Sequence, residues 1–330
     1  MDNTVSEFQE TETGCNFCNQ ARQSLEEIKS FGFEKVLKQI KRDGRNSKYD
    51  CIVGLSGGVD SSTVLHHAVA LGLRVLAFSV DNGWNNPKAD ENIMRMVETL
   101  KVPFYRYTID LTKFRELQFA FLKAGVPNVE IPTDHILLAT TMDMANKYNI
   151  KWVLSGGNVS TESIMPGSWG ANARDLVHME AIYGKKIKGL PVCSLFRWNY
   201  LKWVKGIKTF YLLDHWYSVY NRAQAIKMLE EKYGYQSYGA KHEENYFTQW
   251  FQNFYLFEKH GIDKRKAHLS SLIVSGQMTR EDALQELEKS PVYPELGIEK
   301  QVMKYPKRSH DEFPKDRYDL IAKIVKACSF

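Results

Sequence analysis

The chain has 330 residues, 43% of them hydrophobic and 25% charged, a balance that suits a folded globular protein and excludes a disordered one. Lys and Arg number 44 against 39 Asp and Glu, a formal charge of +5. That suits an anionic small molecule such as a nucleotide but is too weak and dispersed to argue for nucleic acid. No apolar run reaches the roughly 18 residues a membrane helix needs. Residues 1–13 are polar and acidic, unlike a signal or transit peptide. Five scattered cysteines suit a reduced compartment, so a cytoplasmic protein without a membrane partner is expected.

Residues 1–20 read as an extended arm ending in the knuckle Cys15-Asn-Phe-Cys18. Over 22–41 the apolar positions Leu25, Ile28, Phe33, Val36, Leu37 and Ile40 recur at helical spacing, broken near Gly32. The run 51–55 is continuously apolar, as a strand buried on both faces requires. A helix is predicted over 59–71, a strand over 74–80, a helix over 88–100 and a strand over 104–109. Helices follow over 112–124 and 133–149, the second capped by Thr133 or Asp134, and then a strand over 151–154. Beyond about 185 no further strand is evident, and helical spacing runs through 221–233, 244–259, 265–274 and 280–288.

Strands alternating with helices predict an α/β fold: a Rossmann-like parallel sheet with helices on both faces, plus a mostly helical C-terminal part. The chain divides on this pattern into an arm (1–20), an α/β domain (21–185) and a mostly helical region (186–330). The aromatic stripe Trp250, Phe251, Phe254, Tyr255 and Phe257 reads as core, and Thr279 with Asp282 as a helix-capping pair. The last thirty residues interleave Lys and Arg with Asp311, Glu312, Asp316 and Asp319, a solvated face.

Ligands of such sheets sit at the carboxyl ends of the strands, and three Gly/Asp/Asn-rich turns fall there, at 56–60, 81–83 and 155–158. The first, Ser56-Gly57-Gly58-Val59-Asp60-Ser61-Ser62, joins an apolar strand to an amphipathic helix. Its glycines let backbone approach phosphate, the helix turns unpaired N–H groups on it, the serines add hydroxyl donors, and Asp60 can hold Mg2+. It lacks the Gly-Lys-Ser/Thr ending of a Walker loop and the three-glycine dinucleotide fingerprint.

Ser-Gly-Gly-Val-Asp-Ser resembles the signature of the PP-loop ATP pyrophosphatases. The resemblance implies a fold of the PP-loop (HUP) type and adenylation of a substrate oxygen with release of pyrophosphate. It implies that Val80, Asp81 and Asn82 meet the adenosine, and that Gly156, Gly157 and Asn158 close over the nucleotide.

The stretches 241–248, 257–273 and 275–284 resemble the C-terminal half of the N-acetyl sugar amidotransferases of surface-polysaccharide (lipopolysaccharide) biosynthesis, and 134–141 and 156–162 are similar to that family too. The resemblance implies that an acetamido group on a nucleotide-linked sugar becomes an acetamidino group. ATP activates the amide oxygen and ammonia displaces AMP. With no glutaminase motif in the chain, ammonia comes from separate glutaminase and cyclase-like subunits. The candidates are Asp60, His135, His242 and Glu244 for catalysis, and Glu162, Trp169, Lys241, Lys264 and Arg265 for the substrate. Members of that family carry an earlier cysteine pair that completes four zinc ligands with this one. Here Cys15 and Cys18 stand without it; two thiolates cannot close a tetrahedral Zn2+ site, so Cys193 or a histidine completes it, or two chains share the metal, or the knuckle is empty.

Two other readings share the loop. A tRNA-thiolating PP-loop enzyme needs catalytic cysteines near the nucleotide and a strongly basic appendage. A non-catalytic nucleotide sensor does not need the full Ser-Gly-Gly-x-Asp-Ser set.

Overall fold

Five parallel strands form the central sheet of the computed structural model, which describes residues 1–316 apart from 30, 31, 218, 240 and 242. They are β1 (Cys51–Gly54), β2 (Val75–Asp81), β3 (Phe104–Thr108), β4 (Trp152–Ser155) and β5 (Lys208–Tyr211). Their order across the sheet is β3-β2-β1-β4-β5. Cys51 pairs with Val75, Ile52 with Val153, and Leu154 with Phe210. The chain leaves β1 for β2 on one side and reaches β4 on the other, so the strand order reverses at β1. The crevice beyond its carboxyl end is the expected ligand position.

Side chains alternate across the sheet as the pleat demands. Cys51, Val53, Val75 and Ala77 join the core under α3 (Val59–Ala70) and α4 (Pro87–Leu100). Ile52, Leu76 and Phe78 face the opposite way, against Ala139, Met142 and Ala145 of the long helix Ile131–Lys147. That covering on both faces is why β1 reads as an unbroken apolar run.

Three expectations are corrected. The sheet takes its edge strand from Lys208–Tyr211, past the limit drawn at 185; only Phe210 of its four residues is buried, too short a pattern to signal a strand. The helix expected over 133–149 starts at Ile131 with Glu130 at its cap position, so Thr133 and Asp134 lie inside its first turn; Pro132 fits there because its missing N–H would be unpaired. Residues 1–20 are not an extended arm. Glu10–Thr11 and Gly14–Cys15 pair antiparallel, and a helix runs from Asn16 to Lys29, packing through Ala21 on Ala267 with Val5, Ile164 and Trp169.

The C-terminal helices fall where their spacing indicated, at Arg222–Tyr233, Tyr246–Trp250 continuing with wider winding to His260, Arg265–Val274 and Arg280–Glu288. Trp250, Phe251, Phe254 and Tyr255 are buried against Phe114 and Phe121 of the helix Leu111–Ala124. Thr279 caps its helix through Asp282, as expected. Among the described residues no helix is long and apolar enough to cross a membrane.

Candidate active site

The loop after β1 is shaped by glycine. Gly57 has φ +79°, and a side chain there would bring Cβ to 2.3 Å from the Ala89 carbonyl oxygen at the start of α4. Its own carbonyl accepts hydrogen bonds from the Tyr235 and Tyr238 hydroxyls, each at 3.2 Å. Gly58 precedes α3 in extended conformation, and its N–H donates to Ser56 Oγ at 3.2 Å. Ser61 Oγ accepts from the Ser56 N–H at 3.3 Å, closing the loop on itself.

Across the crevice, Gly156 approaches the start of α3 so closely that a Cβ would lie 3.0 Å from the Ser61 nitrogen. Gly156 and Gly157 thus form the facing lip. A pocket of about 160 Å3 lies between, lined by Ser56, Gly58, Asp60, Ser61, Gly156 and Gly157, with Glu162, Arg222, Tyr238, Lys241 and Glu244 closing it from other elements. Ser62, Gly57, Asp81 and Asn158 shape the site without facing this pocket. Ser62 is buried in α3, Asp81 Oδ1 accepts from the Gly83 N–H at 2.9 Å, and Asn158 Oδ1 caps the turn Val159–Glu162 through the Thr161 N–H at 2.9 Å.

Charge at the mouth is tightly organised. Lys241 Nζ lies 2.9 Å from Asp60 Oδ2 and 2.8 Å from Glu162 Oε1, and donates to Thr161 Oγ1 at 2.6 Å. Burial alone would lower its pKa, but Asp60 and Glu162 outweigh that and hold it above the ordinary lysine range. Tyr220 donates its hydroxyl to Asp60 Oδ1 at 2.8 Å. Burial, reinforced by the Asp60 charge, raises the Glu244 carboxyl above the usual range, against the Ser56 hydroxyl and Lys241.

A second cleft of about 870 Å3 continues along the strand edge. Ser56, Glu162, Lys241 and Glu244 line both spaces. Leu55, Phe78, Val80 and Asn82 form its floor at the carboxyl ends of β1 and β2, and Thr248, Phe251, Lys264 and His268 wall it from the C-terminal helices. The wall is pinned by the turn after β2. The Tyr246 N–H donates to the Trp84 carbonyl at 2.8 Å, the Asn86 N–H to the Glu244 carbonyl at 2.9 Å, and Asn245 Nδ2 to Asn82 Oδ1 at 3.0 Å.

Two expected site residues stand away from both spaces, and a third is engaged at the cleft's border. His135 is buried, its Nδ1 2.6 Å from the Ala173 carbonyl and its Nε2 accepting from the Cys193 N–H at 3.0 Å; with both nitrogens spent on backbone it holds two loops together and faces neither cavity. Trp169 is buried among Val5, Ala21 and Ile164, so its ring is packing, not a stacking platform. Arg265 borders the cleft, but its guanidinium pairs with Asp263 at 2.7 Å and donates to the Lys289 carbonyl at 2.7 Å, capping the end of Arg280–Glu288. His242 lies outside the described residues.

The sulfur atoms of Cys15 and Cys18 are 3.3 Å apart, and among the described residues no cluster of three or more His, Cys, Asp or Glu side chains gathers to hold a metal. Cys193 is buried behind His135. Among the described residues a structural zinc site therefore gains no further ligand.

Sequence reasoning missed Thr161, Tyr220, Arg222, Tyr235 and Tyr238, as well as Glu130 and Asp134, which border the larger cleft. Tyr220, Arg222, Tyr235 and Tyr238 reach the site across more than 150 residues of chain and belong to no local pattern, whereas Thr161 and Asp134 lie in stretches noted above without being singled out for the site.

Residues 50–168 match the family profile described as queuosine biosynthesis protein QueC, and residues 244–324 that of the LPS biosynthesis protein WbpG-like C-terminal domain. Sequence comparison with curated proteins finds no match. Among solved structures, the chain is similar to NMN synthetase from Francisella tularensis, at 15% identity and TM-score 0.33 over 73% of this chain and 96% of that one. It is also similar to the NH3-dependent NAD synthetase from Campylobacter jejuni, at 16% identity and TM-score 0.36 over 82% and 98%. The U34-tRNA thiolase NcsA from Methanococcus maripaludis matches at 14% identity and TM-score 0.39 over 84% and 90%. The glycine-shaped loop on a five-stranded parallel sheet and the two profile matches agree: residues 50–168 carry a QueC-type PP-loop domain, and residues 244–324 a WbpG-like C-terminal domain.

Proposed function

We propose that the protein is an ATP-dependent amidotransferase that adenylates the acetamido oxygen of a nucleotide-linked N-acetyl sugar and replaces it with ammonia-derived nitrogen. The observation that carries the reading is the continuity of the two spaces. The phosphate-sized pocket under Ser56–Ser61 opens into a cleft walled by the WbpG-like domain, and four side chains belong to both. A nucleotide held by its phosphates in the first presents its α-phosphorus towards an acceptor in the second.

The residues supply the needed chemistry. The Gly58 turn and the amino end of α3 offer N–H groups to a pyrophosphate, with Ser56, Ser61, Lys241 and Arg222 as further donors. Fixed donors at that point stabilise charge as the α–β bond breaks. Asp60 is a hard oxygen donor of the kind Mg2+ takes together with phosphate oxygens, and it lines the phosphate pocket. The Lys241 ammonium bridges Asp60 and Glu162, so a positive charge already sits where a dication would. Asp60 would be the protein ligand of the ion, which would take the place Lys241 holds at its Oδ2. When bound, Mg2+ would neutralise the pyrophosphate leaving group. Val80 and Asn82 border the adenosine side of the cleft. Ammonia comes from separate glutaminase and cyclase-like subunits.

A sulfur-transfer reading finds less support, since no cysteine is among the residues lining either space. Burial pushes the Cys193 thiol up to about 11, away from a reactive thiolate.

The test is mass spectrometry of a nucleotide-linked N-acetyl sugar incubated with the protein, Mg-ATP and an ammonium salt, with AMP and pyrophosphate assayed alongside. Replacing oxygen by NH lowers the product mass by about 1 Da, with AMP formed in step through the adenylated intermediate. AMP without a mass change would move the search to other acceptors, tRNA first. No nucleotide turnover with any acceptor would leave a nucleotide sensor.

A further inference from the structure

The stretch from Ala181 to Leu213 holds seven Lys and Arg residues and no Asp or Glu. Near its middle lies the helix Leu195–Asn199, which continues with wider winding through Tyr200–Val204. One side of it is core: Trp198 and Leu201 are buried with Ile207 among Ile52, Ala139 and Ala145. The other side is apolar too, and uncovered. Phe196 is 84% exposed, Val204 70%, Trp203 49% and Tyr200 42%. A helix apolar all round is ordinarily enclosed on every side, so this outer face lacks half of its covering.

Charge narrows what can supply it. Arg197 pairs with Asp143 at 2.5 Å, Lys185 with Glu116 at 3.8 Å and Lys186 with Glu180 at 2.5 Å. Lys202, Lys205 and Lys208 are exposed beside the apolar face. Lys205 Nζ lies 5.7 Å from the centre of the Tyr200 ring and Lys208 Nζ 5.0 Å from that of Trp152. Lys151 Nζ donates to the Lys205 carbonyl at 2.7 Å, which brings a fourth ammonium to the same place. Contacts with rings and carbonyls hold these groups without neutralising them.

We infer that this face rests on an anionic lipid surface, with Phe196, Tyr200, Trp203 and Val204 entering the headgroup layer and Lys151, Lys202, Lys205 and Lys208 meeting its phosphates. Tryptophan and tyrosine beside lysine form the composition that settles at a lipid–water boundary, because each has an apolar body and a polar tip. Among the described residues no helix can cross a membrane, so the contact is peripheral, which composition alone did not suggest.

Other occupants fit less well. A second copy seated face to face would set the same four lysines against one another. An ammonia-supplying subunit would need the crevice at the carboxyl ends of the strands. Lys151 and Lys208 stand instead at the amino ends of β4 and β5, where Lys208 pairs with Trp152. Docking here leaves the cleft facing away from the surface, and the inference holds whichever acceptor the cleft takes.

The experiment sediments the full-length protein with vesicles of phosphatidylcholine alone and of phosphatidylcholine with phosphatidylglycerol. A second anionic set carries bromine on its acyl chains to quench tryptophan that enters them. Expected is retention on the anionic vesicles about tenfold or more stronger than on the neutral ones. It should weaken as salt rises, and part of the fluorescence should be quenched. Phe196→Ser with Trp203→Ser, and separately Lys202→Glu with Lys205→Glu, should each lower retention about tenfold or more. All four side chains are exposed, so the thermal midpoint of both variants should stay near wild type. Trp203→Phe should keep retention and lose most of the quenching. Absence of retention on anionic vesicles would overturn the inference, as would retention without quenching or retention unchanged in both double variants. A dimer in sedimentation velocity that Phe196→Ser with Trp203→Ser dissolves would overturn it too, by assigning the face to a second copy.

Discussion

Asp60 sits where three demands meet: the Tyr220 hydroxyl on one oxygen, Lys241 on the other, and the phosphate pocket in front. Asp60→Asn keeps the shape and the tyrosine bond but removes the charge. AMP formation should fall about 100-fold or more, while the thermal midpoint stays close to wild type. An active asparagine variant would take the metal-holding role from this residue. Gly57 makes a different kind of contribution, being required by geometry alone. Gly57→Ala puts a methyl group 2.3 Å from the Ala89 oxygen in a left-handed backbone, so the loop must move. Loss of ATP binding by calorimetry is expected, with stability lowered by about 1–3 kcal/mol in denaturant titration.

One pairing decides how the cleft wall is fixed at the level of elements. His178, on the helix Leu176–Tyr183, has its Nε2 2.9 Å from His310 Nδ1, and His310 Nε2 accepts from the Asn128 N–H at 3.1 Å. Since that nitrogen is an acceptor, His310 carries its proton on Nδ1 and both rings must be neutral. Asn128 Oδ1 in turn accepts from the Glu130 N–H at 2.9 Å, so the pair supports the cap that borders the cleft. Burial, with His178 adding, lowers His310 to about 3 from an ordinary 6.5. The unfolded chain therefore takes up this proton first as pH falls. The pair's stabilisation is fully present above pH 6.5 and is lost progressively towards pH 3. Hydrogen exchange of residues 305–316 should accelerate over that range, and His310→Gln should flatten the dependence. Unaltered exchange across it would mean the pair does not hold the segment.

The whole molecule buries its two matched regions in one another. Trp250, Phe251 and Tyr255 share a core with Phe114, Phe121 and Leu122 of the α/β domain, and Tyr255 donates its hydroxyl to the Val126 carbonyl at 3.0 Å. A chain truncated before residue 244 would expose that face to water, at about 25 cal/mol per Å2 of apolar surface. It should aggregate or bind a hydrophobic dye instead of surviving as a stable nucleotide-binding domain. A monomeric, cooperatively unfolding fragment would contradict this.

The elements and the loop were legible because their signals are local. Apolar runs, helical spacing and Ser-Gly-Gly-Val-Asp-Ser each lie within a few residues, where backbone preference and the burial pattern act directly. Strand β5 was not legible, since four residues with one buried side chain carry almost no periodicity and pair only because β4 offers an edge. The same limit separates the candidate residues. Asp60, Glu162, Lys241 and Glu244 were named from motifs and meet at one pocket. His135, Trp169 and Arg265 were named as candidates too but are spent on backbone, packing or a local ion pair. By itself the sequence determined the α/β architecture, the phosphate loop and the helices that follow. Only tertiary structure decided which polar side chains face the cleft, because hydrogen-bond partners such as Ala173 for His135 or Lys289 for Arg265 are set by packing between segments distant in the chain.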